Sequence, residues 1–171
     1  MIQRETMTLS YKIKSYETKP KFNLSKRNSK PKNVAIHYTG GKGTAKNNVD
    51  YFRSGNRSAS ADFFIDSKSI WRFNPDVGKY YSWHIGDGHG AYGYTNADTI
   101  GIEVVSNGKA FTRAEKKRLR FLVKKLMKQY GIPAKNIIRH YDASRKLCPL
   151  PYCGSAKKNA AWKKLHKYIT K

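Results

Sequence analysis

Apolar residues recur along this chain with two periods, and the switches between them mark out its elements. Val34 to Tyr38 is a short continuous apolar run, which predicts a buried strand ending at the loop Thr39-Gly40-Gly41-Lys42-Gly43. Thr44 can cap a helix that carries Val49 and Phe52 and closes at Gly55. Ala61 to Ile65 and Ser69 to Phe73 predict a hairpin around Asp66-Ser67-Lys68. Tyr80 to His84 suggests another short strand, and Thr99 to Val105 a central one. Between these two, Ile85 to Ala97 is dense in Gly, Asp, Asn and Tyr and reads as a long loop, a length that in compact domains often carries function. The clearest helix follows. Thr112 and Glu115 make a capping box, Leu119, Leu122, Val123, Leu126, Met127 and Tyr130 form an apolar stripe, and Gly131 with Pro133 ends it. Ile137-Ile138 leads into His140, and Asn159 to Ile169 forms a closing amphipathic helix through Ala161, Trp162, Leu165, Tyr168 and Ile169.

Before Val34 the pattern is weaker. Residues 1–32 are basic and polar, with alternation at Tyr11-Lys12-Ile13-Lys14 and Phe22-Asn23-Leu24 that predicts one or two edge strands. Strands and helices alternate around one apolar centre, so the expected fold is α/β: a single domain over 1–171 with a central mixed sheet flanked by helices. No internal repeat, linker or second domain is visible.

Composition changes the picture chiefly through charge. Thirty-five Lys and Arg against 11 Asp and Glu give a formal net charge of +24, which predicts a polyanionic partner. Nucleic acid, anionic lipid surfaces and anionic cell-wall polymers all qualify. No run reaches the ~18 apolar residues of a membrane span. Met1 to Met7 lacks the apolar stretch of a secretory leader, so the chain is expected to be made in the cytoplasm and released by another route, or to stand here without its leader.

Three places carry candidate chemistry. His37 ends the strand at Val34–Tyr38 beside a glycine-rich loop, and His140 is followed by Lys146-Leu147-Cys148-Pro149. A lone histidine is more often structural than a ligand, and two cysteines as close as Cys148 and Cys153 are commonly free thiols or a local disulfide. Here two imidazoles and the Cys148 thiolate together make a zinc site with one position open, the pattern of catalytic zinc. Cys153 is left as a spare thiol. The third place is Ile100-Gly101-Ile102-Glu103-Val104-Val105, where a carboxylate sits in an apolar strand. Period-2 alternation puts Gly101, Glu103 and Val105 on one face and Ile100, Ile102 and Val104 on the other. Glu103 is then placed to take a proton from a water activated by the metal, although an edge-strand glutamate could simply face solvent. Lys146, two residues before Cys148, is placed to donate to the oxyanion of a tetrahedral intermediate, although it is one lysine among many.

At these residues the chain resembles the type-2 N-acetylmuramoyl-L-alanine amidases, the superfamily of phage amidase endolysins and peptidoglycan recognition proteins. The resemblance runs from about Asn33 to Pro149. It rests on Ile36-His37-Tyr38-Thr39-Gly40, Ser60 to Asp66, Ser82-Trp83-His84-Ile85-Gly86, Asn96 to Glu103, and His140 with Lys146-Leu147-Cys148-Pro149. It implies a peptidoglycan-recognition-protein-like fold with one Zn2+ on His37, His140 and Cys148. It further implies Glu103 as general base, Lys146 steadying the intermediate, and His84 and Asn96 at substrate contacts. The implied reaction is hydrolysis of the amide between the lactyl group of N-acetylmuramic acid and L-alanine of the stem peptide. Many relatives carry Tyr-His or Ser-His where this chain has Ala61-Asp62, which moves the weight of base catalysis onto Glu103.

Two rivals remain in view. A recognition module would bind peptidoglycan without cutting it, and loss of the third zinc ligand would favour that reading; Cys148 is present. A nucleic-acid protein is suggested by charge alone, without a recognisable binding motif, so no nucleic-acid partner is expected. The expected partners are peptidoglycan and anionic wall polymers, met by a monomer acting at the bacterial cell wall.

Overall fold

The computed structural model describes residues 10–171; the stretch Met1 to Met7, read above for the absence of a leader, lies outside the described residues. The described chain runs β1 (Ile13–Ser15), β2 (Leu24–Lys26), β3 (Asn33–Tyr38), α1 (Ala45–Arg53), β4 (Phe63–Ile65), β5 (Ile70–Arg72), β6 (Tyr80–Ser82), β7 (Thr99–Val104), α2 (Arg113–Tyr130), β8 (Ile137–Arg139), α3 (His140–Ser144) and α4 (Ala156–Thr170). Six strands form a mixed sheet in the order β1-β5-β4-β7-β3-β8, and β2 pairs with β6 in a small separate sheet. β4, β7, β3 and β8 are mutually parallel, and β5 turns back antiparallel beside β4.

The alternation read from β7 is realised on both faces. Ile100, Ile102 and Val104 join Val34, Ile36, Leu119, Leu122, Val123, Leu126, Trp162, Leu165 and Ile169 in the main core, so α2 and α4 cover that face. Each of these side chains, when fully buried, contributes roughly 1.5–3 kcal/mol. The opposite face packs Phe64 under α1 with Ala45, Val49 and Phe73, and packs Ala35 and Ile138 against Ile85 and Ala143. β7 is therefore covered on both sides, and a carboxylate on it needs a function or a partner.

Local signals account for the ends of α1 and α2 and for the start of α4. The Thr44 side chain caps α1 and the Thr112 side chain caps α2, each within a complete capping box. Gly131 closes α2 in the left-handed conformation at φ 69. α1 ends at Arg53 on a Ser54 cap, two residues before the glycine that the sequence pointed to. α4 begins at Ala156 on a Ser155 cap, earlier than its apolar stripe, because its first turn (Ala156-Lys157-Lys158-Asn159) is polar and shows no period. The 85–97 loop contains a 3-10 turn at Gly86–Gly88 and enters another at Asn96–Asp98. No helix among the described residues is long and apolar enough to cross a membrane.

Candidate metal centre and active site

The parallel register of β3 and β7 puts His37 directly beside Glu103, with Ala35 beside Gly101 one pleat earlier. Both side chains project from the face shared with α3, near the carboxyl ends of their strands, where open parallel sheets place ligand sites. β8 pairs on the other edge of β3 and delivers His140 as the first residue of α3. Arg139 fixes that delivery. It lies on the opposite face, where its guanidinium pairs with Asp142 Oδ1 at 2.7 Å and donates to Tyr152 O and Asn159 Oδ1, both at 2.7 Å. One buried cation thus ties α3 to the 150–152 turn and to α4.

Chain closure then brings in the cysteine. After α3 the backbone reverses at Arg145, in the left-handed region at φ 67, and Tyr141 N donates to Cys148 O at 2.9 Å. The seven residues between His140 and Cys148 therefore make a loop whose ends touch. One ligand atom from each of His37, His140 and Cys148 lies within 4.8 Å of the others, and all three residues are buried. His37 Nδ1 is 3.8 Å from Cys148 Sγ and 3.9 Å from Glu103 Oε1. Two imidazoles and a sulfur at this separation suit a tetrahedral zinc ion with one position left over.

The electrostatics agree with that fit. Burial, followed by the neighbouring His140 and His84, holds His37 well below its ordinary value, and burial likewise lowers His140, so both are available as neutral ligands. Burial pushes the Cys148 thiol up, so without a cation it stays protonated and inert; a metal would draw off the proton. Burial also raises Glu103 to about 7, with the Lys146 ammonium pulling the other way. Glu103 Oε2 is buried with no hydrogen-bond partner in the protein. Lys146 itself is exposed, and its charge acts on Glu103, His37, His140 and Cys148 together.

Around these groups stand further residues, and the sequence did not single out Asp87 among them. Asp87, in the 86–88 turn, accepts from His140 Nε2 at 2.7 Å, and its other oxygen accepts from Ser144 Oγ at 3.2 Å. Burial opposes ionisation of Asp87, but the His140 hydrogen bond and charge outweigh it and hold the carboxyl below the usual range. Asp62 is fully buried and accepts from Asn74 Nδ2 (2.6 Å), Ser82 Oγ (2.8 Å) and Gly101 N (2.7 Å), tying β6 and β7 to the start of β4. Cys153 is also buried and free, donating to Pro149 O at 3.2 Å. His84 and Asn96 are both spoken for by the scaffold. His84 Nδ1 lies 3.0 Å from His37 Nε2, its Nε2 lies 3.3 Å from Thr99 O, and Asn96 Oδ1 accepts from the backbone N–H groups of His84 and Ile85. Burial holds His84 down to about 4.

Comparison with known proteins places this arrangement. The sequence model of the N-acetylmuramoyl-L-alanine amidase family matches residues 27–151, a span that includes His37, Glu103, His140 and Cys148. The chain is 30% identical over 141 residues to the N-acetylmuramoyl-L-alanine amidase CwlA of Bacillus subtilis (80% of this chain, 50% of CwlA). It is 31% identical over 122 residues to CwlH of the same organism (70% of this chain, 47% of CwlH). It thus spans about half the length of these curated relatives. The structure of PlyL superposes with a TM-score of 0.73 at 24% identity, over 95% of this chain and 98% of PlyL, which shows a shared fold. With the match covering 27–151 of 171 residues, the chain belongs to the N-acetylmuramoyl-L-alanine amidase family.

Proposed function

We propose that this chain is a zinc-dependent peptidoglycan amidase that cleaves the amide between the lactyl group of N-acetylmuramic acid and L-alanine of the stem peptide. The observation that carries the reading is the convergence of His37, His140 and Cys148 beside a buried carboxylate oxygen with no partner of its own. Bound zinc supplies Lewis acidity, polarising a carbonyl and acidifying water. The chain supplies the rest. Glu103, raised toward neutrality by burial, accepts the proton of the attacking water and can return it to the departing amine. Lys146 places a positive charge where the carbonyl oxygen gains negative charge. His37, His140 and Cys148 would hold the ion.

The charge has a role in the same reading. α2 carries Arg113, Lys116, Lys117, Arg118, Arg120, Lys124, Lys125 and Lys128 against Glu115 alone, which is buried in its capping box, and α4 carries five lysines with no acid. Both helices cover the sheet face opposite the metal centre, so a wall polyanion held there leaves the cleft free. The enzyme works on this reading as a monomer at the cell wall.

The test is metal analysis of the purified protein together with release of new L-alanine amino groups from purified cell walls. One zinc per chain and amino-terminal alanine in the products are expected. Wall binding with no new amino groups would convert the chain into a recognition module.

A further inference from the structure

We propose that His84 and Asp87 are positioning residues that decide which ring nitrogen each histidine ligand presents to the metal: His37 through Nδ1 and His140 through Nδ1. This rests on the zinc reading above and goes further, because the tautomers belong to the protein alone.

The assignment follows from what each partner can accept. Thr99 O is a carbonyl and only accepts, so the His84 nitrogen facing it at 3.3 Å, Nε2, carries the proton. In the neutral ring Nδ1 is then bare, and it lies 3.0 Å from His37 Nε2, which must donate. That leaves His37 Nδ1 with its lone pair free, and Nδ1 is the nitrogen that faces Cys148 Sγ and Glu103. On the other side Asp87, an ionised carboxylate, only accepts, so His140 Nε2 is the donor at 2.7 Å and Nδ1 is free. A ligand histidine that donates its second nitrogen in this way is more basic and held in one orientation.

The surrounding chain is shaped to keep both partners in place. A Cβ on Gly101 would lie 2.7 Å from the His84 ring, so only glycine lets His84 lie flat against β7. A Cβ on Gly88 would lie 2.3 Å from Ala143 O, so only glycine lets the 86–88 turn press onto α3 and hold Asp87 against His140. Asn96 pins the backbone of His84 and Ile85, and Ser144 holds the second oxygen of Asp87. Two glycines, an asparagine and a serine thus serve two hydrogen bonds.

The experiment uses the full chain. Long-range 1H–15N NMR of the zinc-free protein reads the tautomers directly, and both His37 and His140 should carry their proton on Nε2. Zinc competition against a chelator should show affinity weakened by roughly 10–100-fold in Asp87→Ala and in His84→Ala. Asp87→Asn, whose amide oxygen still accepts, should recover most of that loss. Melting of the zinc-free variants separates a lost fold from a lost partner. Nδ1-protonated tautomers in the parent protein, or folded variants that bind zinc as tightly as the parent, would overturn the inference. A parent protein that binds no zinc at all would instead overturn the zinc reading on which it rests.

Discussion

Glu103→Gln should damage catalysis and stabilise the zinc-free fold, and the two effects have one cause. The side chain keeps only 20% exposure, Oε2 has no partner, and burial raises its pKa from an ordinary 4.5 to about 7. Below pH 4.5 the carboxyl is protonated in folded and unfolded chains alike and costs nothing. Between 4.5 and 7 the unfolded chain gives up the proton while the folded chain keeps it, so stability falls as pH rises, and above 7 the folded chain carries the full burden. That burden is about 3 kcal/mol at most, from the difference between the two values. Glutamine has the same shape and no charge, so the zinc-free variant should lead the parent by up to that amount at pH 8 and by almost nothing at pH 4.5. For a chain of this size the lead corresponds to a melting temperature higher by roughly 6–12 °C. Melts of chelator-stripped parent and variant across this range test the point, and groups that titrate away from Glu103 cancel because both proteins contain them. Loaded with zinc, the variant should lose rate by roughly 10²–10⁴ while keeping the metal. A melting gap that stays constant with pH would refute the buried, unpartnered carboxylate, and near-normal turnover of the loaded variant would refute its role as base.

Three shorter expectations accompany it. His37→Ala, His140→Ala and Cys148→Ala should each lose bound zinc and most activity together, and stoichiometric zinc in all three would remove the ligand assignment. Lys146→Ala should leave zinc in place and slow the chemical step by about 10² or more, as loss of an oxyanion donor does; an unchanged rate at saturating substrate would exclude that role. Lysis of whole cells should fall steeply with added salt while cleavage of a small soluble muropeptide barely changes, because screening cuts the reach of the basic face to about 8 Å at physiological ionic strength. Equal salt sensitivity on both substrates would mean that the charge acts on the chemistry or the fold.

How far the sequence reaches depends on whether a signal is periodic, local or neither. Ile100 to Val104 could be placed because alternation is a property of the strand itself, and it put Glu103 on the correct face before any partner strand was known. α2 was legible for the same reason, its stripe and both its ends being local. The polar first turn of α4 had no period to read, and Ser155 was passed over. His37, His140 and Cys148 could be proposed as a set because their donor types suit one ion, but nothing in their spacing says that β3 and β8 are neighbours or that Tyr141 N reaches back to Cys148 O.

The supporting residues were hidden for a deeper reason. Asp87 lies 53 residues from His140, in a stretch whose composition says only loop, and Asp62 sits at a position noticed for what it lacks. Each matters through a few contacts across the fold, and isolated long-range hydrogen bonds leave no repeating trace in a chain. The glycines did leave a trace, but an ambiguous one. Gly88 resembles any loop glycine and Gly101 resembles a weak point in a strand, yet each is required where a ring or a carbonyl comes within 3 Å. A glycine inside an otherwise apolar strand, two residues before a buried carboxylate, is therefore a readable sign: another side chain needs that space, and here it is the His84 imidazole that contacts His37.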